Sequence, residues 1–287
     1  MKTKFLNLIA IFTAFTLFSC DTESTGKGSA SFYLTDGPIE AENVTAVVIT
    51  FTNVEVSGPD GWTIIKEYDT AQSINLLDLQ NGETFFIDEA ELTSGAYGQV
   101  RLGLLDNEDA NDPQNSYISF DDSSRVALTI PSGNQSGYKV VGGFTIPDGG
   151  VTAVTIDFDV RKSVVETGSG KYILKPTLRL IENADVAAIN GTITTELTNR
   201  FVVYAYENDT YDISETEEDA DGIKFANAVT SANVKEDGTF MLSFLEAGTY
   251  DIYVVAYNTE GDLLEISATE EDVELVGGQI LTLPITI

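Results

Sequence analysis

Short alternating runs of apolar and polar residues, separated by turn residues, constrain the fold of this chain more than any other feature. In residues 29–35 (SASFYLT), Ala30, Phe32 and Leu34 alternate with polar or amphipathic neighbours. A period of two places successive side chains on opposite faces of a β-strand. Similar stretches recur to the C-terminus, and helical periodicity is almost absent, since only residues 87–92 (IDEAEL) fit a helical turn. The pattern predicts an all-β protein made of antiparallel β-sandwiches.

The strand pattern restarts near residue 185, which predicts two β-sandwich domains in tandem. The chain has 287 residues, enough for two domains of ordinary size. We assign residues 29–184 to the first domain and residues 185–287 to the second. Because a single cysteine leaves no disulfide to form within the chain, each domain must be stabilised by its own hydrophobic core.

The N-terminus predicts an export signal at residues 1–19. A short basic region with two lysines precedes an apolar stretch of about a dozen residues, which is too short to span a bilayer. The end of this stretch resembles the bacterial lipobox, although Phe18 stands where a small residue is usual. The resemblance implies cleavage before Cys20. Diacylglycerol and palmitate on this cysteine would then anchor the lipoprotein. Residues 20–28 form the lipidated cysteine and a polar tether. The alternative is an ordinary secretory signal followed by an unmodified cysteine.

An anchor at Cys20 predicts a protein of the cell envelope that is attached to the membrane through its lipid. Asp21 and Glu23 follow directly and resemble the acidic export tag of some Gram-negative surface lipoproteins. We therefore expect a protein held on the outer membrane of a Gram-negative bacterium and facing outward. The alternative for these two acids is a solvated linker.

The charge balance is strongly acidic and excludes several classes of partner. The chain has 46 acidic and 15 basic residues, a net charge of −31 at pH 7. Removal of residues 1–19 takes away two lysines and no acids, which leaves 13 basic against 46 acidic residues, a net charge of −33. Such a surface repels phosphate backbones and anionic lipid headgroups. We expect no nucleic-acid partner.

Two acidic connections are candidates for metal binding. One lies between two strand patterns and offers oxygen ligands of the kind that calcium prefers, namely Asp106, Glu108, Asp109, Asn111 and Asp112. The other, residues 207–222, imitates an EF-hand loop, but Ala228 stands where the twelfth position needs a bidentate glutamate. The alternative for both is a solvated acidic loop. A structural calcium ion at residues 106–112 is the one cofactor that the sequence suggests.

The residue types argue against catalysis. The chain has no histidine, which excludes Ser-His and Cys-His mechanisms and histidine-based metal sites. No pair of carboxylates stands out among the 46 acids, so we assign no catalytic residue and expect no enzyme. Trp62, the single tryptophan, is predicted to pack beside a hairpin. Tyr204 and Tyr206 either form an aromatic strip for a glycan or pack within the sandwich.

One short pattern, L-x-x-G-x-Y, occurs in both halves of the chain. It reads LTSGAY at residues 92–97 and LEAGTY at residues 245–250. We expect Gly95 and Gly248 to occupy turns with positive φ, followed by a tyrosine that re-enters the core. In the first half the later apolar residues are out of phase with Tyr97, which predicts a β-bulge near Gly98.

Three stretches of the first half resemble the domain-of-unknown-function family 4382 of exported prokaryotic proteins. They are SFYLTDGP (31–38), SGAYGQVRL (94–102) and the long IDFDVRKSVVETGSGKYILKPTLRLIE (156–182). The resemblance covers about residues 29–183 and implies an exported β domain without an established activity, although the usual Asp-Ala-Pro reads Asp-Gly-Pro here. The second half is similar to carboxypeptidase-regulatory-like domains of prealbumin-like fold, through Gly238, Phe240, Leu245, Gly248 and Tyr250.

These observations favour a lipid-anchored envelope protein that acts as a binding or adhesion module for an envelope or extracellular glycan or protein. The first alternative is a structural subunit of a fimbria-like assembly built by strand exchange, suggested by the alternating C-terminal stretch 279–287 (QILTLPITI). That stretch also fits the last strand of the chain's own sandwich, with Pro284 at a sheet edge. The second alternative is an accessory polysaccharide-degrading enzyme.

Overall fold

A computed structural model describes residues 26–37, 43–104, 116–130, 138–195 and 199–287. Within these ranges the protein is almost entirely β-structure arranged as tandem sandwiches, which confirms the predicted fold class. The described part of the chain contains no helix that is long and apolar enough to span a membrane.

In the described residues, twelve strands, one α-helical turn and one 3₁₀ turn form the first sandwich. The strands are β1 (Lys27–Gly37), β2 (Val44–Gly58), β3 (Gly61–Asn75), β4 (Phe85–Thr93), β5 (Gly95–Leu104), β6 (Tyr117–Phe120), β7 (Arg125–Thr129), β8 (Tyr138–Ile146), β9 (Val151–Asp159), β10 (Val164–Glu166), β11 (Tyr172–Leu174) and β12 (Leu178–Glu182). The helical turn α1 (Val160–Ser163) lies between β9 and β10, and a 3₁₀ turn (Leu76–Leu79) follows β3. One sheet has the strand order β12-β9-β1-β4. The other has the order β10-β11-β7-β6-β2-β5-β8, with β3 on the free side of β2.

Seven strands form the second sandwich. They are β13 (Val186–Thr194), β14 (Arg200–Glu207), β15 (Thr230–Asn233), β16 (Thr239–Glu246), β17 (Gly248–Tyr257), β18 (Leu263–Leu275) and β19 (Ile280–Thr286), with 3₁₀ turns at Asn183–Asp185 and Ile213–Thr216. The sheets have the orders β16-β13-β19 and β15-β14-β17-β18. Strands β1–β12, the last of which ends at Glu182, thus form one pair of sheets. Strands β13–β19, the first of which begins at Val186, form another pair.

Among the described strands, three pairs are parallel, although the sequence predicts antiparallel sandwiches. They are β1 with β9, β7 with β11, and β13 with β19. Each pair joins strands that are distant in sequence, and the connection runs through other strands, as a parallel pair requires. Alternation of apolar and polar residues does not encode strand direction, so the sequence pattern could not distinguish the two arrangements.

The predicted helical turn at residues 87–92 is wrong, because these residues lie inside β4. Ile87 and Leu92 are buried in the first core, and Ala90 pairs with Ala30 of β1. A strand partner along the whole segment supplies the backbone hydrogen bonds that a lone helical turn lacks.

The L-x-x-G-x-Y pattern forms the same tyrosine contact in both halves. The hydroxyl of Tyr97 donates to the carbonyl of Thr93 at 2.8 Å, and that of Tyr250 donates to the carbonyl of Glu246 at 3.0 Å. Gly95 has φ = 143°, as predicted, whereas Gly248 does not adopt positive φ, so the prediction is wrong for the second glycine. The bulge predicted near Gly98 is confirmed by a register shift between Tyr97 and Gln99.

The different φ angles of Gly95 and Gly248 predict different losses of stability for the same substitution to alanine. Gly95→Ala is expected to destabilise the protein by about 1 kcal/mol or more, because alanine is strained at positive φ, and its Cβ would lie 2.8 Å from Pro59. Gly248→Ala is the matched control and is expected to stay within about 0.5 kcal/mol, since its nearest neighbour, Tyr250, is 3.6 Å away. Urea unfolding measures both, and equal losses would contradict this explanation.

Candidate functional site

The helical turn α1 directs two basic side chains from the first sandwich toward the second. Asp159 precedes the turn, and its carboxylate accepts a hydrogen bond from the backbone N–H of Lys162 at 3.2 Å. This is the usual N-cap role of aspartate, and it fixes where the turn begins. Arg161 and Lys162 therefore project from a defined backbone directly after β9.

Arg161 is buried at the junction of the two sandwiches. Its side chain is 4% exposed, and its guanidinium donates to the backbone carbonyls of Lys224 (3.0 Å) and Phe225 in the second sandwich. The guanidinium also lies over the ring of Tyr204, 5.5 Å from the centroid. Asp159 supplies the opposite charge at 3.5 Å. A buried cation with carbonyl, aromatic and carboxylate partners joins the two domains at one point.

Lys162 makes a second link beside the first. Its ammonium donates to the backbone carbonyl of Ala228 at 2.7 Å and lies 3.3 Å from the carboxylate of Asp159. Burial lowers the pKa of Lys162, and Asp159 opposes this shift. We call Asp159, Arg161 and Lys162 the junction triad. Its two cations hold residues 224–228 through hydrogen bonds to the backbone carbonyls of Lys224, Phe225 and Ala228.

The segment held by the triad covers a cluster of aromatic side chains on the outer face of β14 and β17. Tyr204 and Tyr206 are 0% exposed. The hydroxyls of Tyr204 and Tyr257 are 2.8 Å apart, and the ring of Phe225 stacks on Tyr204 with centroids 4.3 Å apart. The packing alternative for Tyr204 and Tyr206 is therefore confirmed, and an aromatic strip open to a glycan is excluded at these two residues.

The acidic segment 207–222 is folded rather than a free solvated loop. The carboxylate of Glu215 accepts from the hydroxyl of Tyr206 at 2.9 Å, and that of Asp219 accepts from the backbone N–H groups of Asp221 and Ile223. Asp221 pairs with Lys175 of the first sandwich at 2.5 Å. No group of three or more acids that could hold a metal ion occurs in the part of the chain that the structure describes.

Buried tyrosine makes the protein sensitive to alkali. Burial, followed by the nearby carboxylate of Glu215, raises the pKa of Tyr206 far above its ordinary value. An unfolded tyrosine ionises above about pH 10, so the folded state then binds more protons and the free energy of unfolding falls, by up to about 1.4 kcal/mol per pH unit for each such tyrosine. We expect Tyr206→Phe to flatten this decline between about pH 10 and 11.5. Urea unfolding across that range measures it, and identical slopes would contradict the assignment.

A cleft of about 650 Å³ lies between the two sandwiches, beside the triad. From the first sandwich it is lined by Phe120, Tyr172 and Glu166 and by the turn between β10 and β11. From the second it is lined by residues 218, 221–224, 257 and 261. The buried side chain of Arg161, from the first sandwich, also borders it. Clefts between domains are the usual location of ligand sites. This cleft is the candidate functional site.

The first wall of the cleft is aromatic. The rings of Phe120 and Tyr172 are 5.6 Å apart with an interplanar angle of 51°. They come from β6 and β11, which flank β7 on either side, so the sheet order brings the two rings together. Burial, and then a hydrogen bond to Glu166, raises the pKa of Tyr172.

The described lining of the cleft includes none of the candidate lipidation and calcium residues chosen from the sequence. Cys20 and the calcium candidates Asp106, Glu108, Asp109, Asn111 and Asp112 are outside the described residues, so both assignments stay predictions. Trp62 is 42% exposed on β3, with the guanidinium of Arg101 4.0 Å from its ring, rather than packed inside.

Sequence reasoning missed the junction triad and the cleft, although a signal for the junction was present. Five of the chain's 15 lysines and arginines fall in residues 161–179, within the long stretch that carries the family resemblance. In so acidic a chain, this concentration indicates cations that are held by specific partners.

Solved structures with detectable similarity to this chain come from several bacteria. The TIE protein of Bacillus anthracis is 11% identical, with 90% of this chain and 34% of that chain covered and a TM-score of 0.21. BcpA, the major pilin subunit of Bacillus cereus, is 8% identical, with 91% and 69% covered and a TM-score of 0.23. A candidate adhesin of Bacteroides ovatus is 10% identical, with 97% and 98% covered and a TM-score of 0.25. The chain spans about a third of the TIE protein, and similarities this low place no functional residue.

No curated protein matches the sequence significantly. The family model of DUF4382, a domain of unknown function, matches residues 27–176, which include β1, the triad and the aromatic wall of the cleft. This match covers more than half of the 287 residues, as the stretches around residues 31–38, 94–102 and 156–182 suggest. The chain belongs to the DUF4382 family.

Proposed function

We propose that this protein is a lipid-anchored binding or adhesion module of the cell envelope, held at Cys20, which takes an extracellular ligand in the cleft between its two sandwiches. The observation that carries the proposal is the cleft itself, about 650 Å³ in volume and bordered by a buried ionic junction. Cavities of this size at domain boundaries accommodate small ligands. The junction triad fixes the two walls relative to each other, so little ordering is needed when a ligand binds.

The carboxyl groups of the cleft favour binding over hydrolysis. A glycosidase requires one carboxyl group in an environment that keeps it protonated as a general acid. Here Asp221 is paired with Lys175, and Glu166 interacts with the hydroxyl of Tyr172. Both of these carboxyl groups, and that of Glu218, the third in the cleft, are exposed. These surroundings support a non-enzymatic role, in preference to an accessory polysaccharide-degrading enzyme.

The C-terminal strand favours a binding module over a subunit built by strand exchange. β19 pairs in parallel with β13 of its own sheet, and Ile285 is 1% exposed. Pro284 lies on this edge strand, where proline is tolerated. A fimbria-like subunit would have to release this strand to exchange it. We therefore expect the protein to run as a monomer on gel filtration when its lipid anchor is removed.

Blocking the cleft tests the proposed site. Gly168 lies in the cleft-lining turn with open space around its Cα, so Gly168→Trp should fill the cleft without disturbing the core. Gly98, on the bulge of β5, also has open space and is the matched control as Gly98→Trp. Binding to a panel of purified glycans and peptides should be lost in Gly168→Trp and kept in Gly98→Trp. Equal binding by both variants would place the function outside the cleft.

A further inference from the structure

We propose that the cleft recognises a neutral oligosaccharide that stacks on Phe120 and Tyr172. This inference rests on the proposed function, because it names the ligand class of the same cleft. Both rings are half-buried on the cleft wall, 5.6 Å apart and inclined at 51°. A wall of this kind offers polarisable ring surface beside a phenolic hydroxyl, which suits a ligand with both apolar C–H faces and polar groups.

The opposite wall favours a ligand that carries hydrogen-bond donors. Glu218 and Asp221 are exposed carboxylates on the second sandwich, and Glu166 lies beside Tyr172 on the first. Ionised carboxylates only accept hydrogen bonds, so the ligand must present donors such as hydroxyl groups. The turn of residues 167–170 adds Gly168 and Gly170 to the lining, where no side chain narrows the cleft.

The charges of the cleft decide between a neutral ligand and a charged one. An anion would meet the carboxylates of Glu166 and Glu218 in the walls, besides Asp221, which is paired with Lys175, and the field of a chain with a net charge of −31. A cationic ligand would meet Lys224, which is half-buried and borders the same space. Hydroxyl groups both donate and accept hydrogen bonds, so a sugar can face groups of either sign. The mixture of charges therefore matches a neutral polyhydroxylated ligand.

The experiment measures binding of the full chain, purified in detergent, to three sets of probes by calorimetry. The sets are neutral oligosaccharides of three to six sugars (gluco-, manno-, xylo- and galacto- series), anionic oligogalacturonates and lysine-rich peptides. We expect neutral oligosaccharides to bind, Tyr172→Ala to weaken binding about tenfold or more, and Glu218→Gln to weaken it several-fold. Trp62→Ala removes an exposed ring from the distant strand β3 and is expected to leave binding unchanged.

Each outcome has a separate meaning for the ligand class and for the site. Lysine-rich peptides that bind in a Tyr172-dependent manner, with no binding of neutral sugars, would overturn the ligand class and keep the cleft. Sugar binding that is lost in Trp62→Ala and kept in Tyr172→Ala would overturn this placement and move the site to β3. The absence of any Tyr172-dependent binding would overturn both the ligand class and the proposed cleft function.

Discussion

Arg161→Ala is expected to lower the free energy of unfolding by about 3–5 kcal/mol, the usual cost of removing one partner from a buried ionic network. The substitution leaves the carbonyls of Lys224 and Phe225 without the guanidinium that donates to them, and it removes the cation over Tyr204. Asp159 then keeps only Lys162 as a basic partner among its described ion pairs. Urea unfolding followed by tyrosine fluorescence and circular dichroism measures the loss.

The exposed link at the same junction is the matched control. Lys175 and Asp221 form an ion pair in which both side chains are 48% exposed. Solvent screens such a pair, so Lys175→Ala is expected to cost no more than about 1 kcal/mol. Arg161→Lys should recover only part of the stability, because an ammonium cannot reproduce the planar fork that reaches two carbonyls. Similar small losses for Arg161→Ala and Lys175→Ala would contradict the importance of the buried junction.

The loss of stability should also separate the two domains. The second sandwich presents its aromatic cluster to residues 224–228, which the junction triad holds in place. Without Arg161 this segment loses contacts to the first sandwich and should open locally. We expect faster hydrogen exchange at residues 213–228 in Arg161→Ala than in the wild type, with the strands of the first sandwich unchanged. Uniform acceleration over both sandwiches would indicate global destabilisation instead.

Cys20→Ala is expected to move the protein from the membrane fraction to the soluble fraction and to abolish labelling with a fatty-acid analogue. Each buried CH₂ of an acyl chain contributes about 0.8 kcal/mol to membrane affinity, so that several chains hold a protein essentially permanently. The acidic protein surface offers no compensating attraction to anionic headgroups. A variant that still sediments with membranes, or that still takes up label, would contradict lipidation at Cys20.

A second variant separates the anchor from the direction in which the protein faces. Asp21→Asn combined with Glu23→Gln keeps Cys20 and removes both acids that follow it. If these acids act as an export tag, the variant should remain membrane-bound and become inaccessible to protease added to intact cells. Unchanged accessibility would leave the two acids as part of a solvated linker.

The amino-acid sequence by itself determined the fold class and several local features of this protein. Period-two alternation predicts strands because it separates the two faces of a sheet, and an offset of one residue after Tyr97 predicts the bulge at Gly98. Both signals come from neighbouring residues and need no knowledge of distant ones. The φ of Gly248 could not be inferred in this way, because the same six-residue pattern occurs with glycine in two backbone conformations.

Only the tertiary structure decided strand direction, the burial of the tyrosines and the position of the site. Tyr204 and Tyr206 alternate with apolar residues as half-exposed side chains do, but both faces of β14 are buried because residues 207–229 fold back over one of them. The cleft unites Phe120, Tyr172 and residues 218 and 221–224, which together span about a hundred residues of the chain. Their proximity depends on the order of strands in the sheet and on the contacts of Arg161 with backbone carbonyls. Carbonyl groups are present at every residue, so no residue type in the sequence marks which of them a buried arginine will meet.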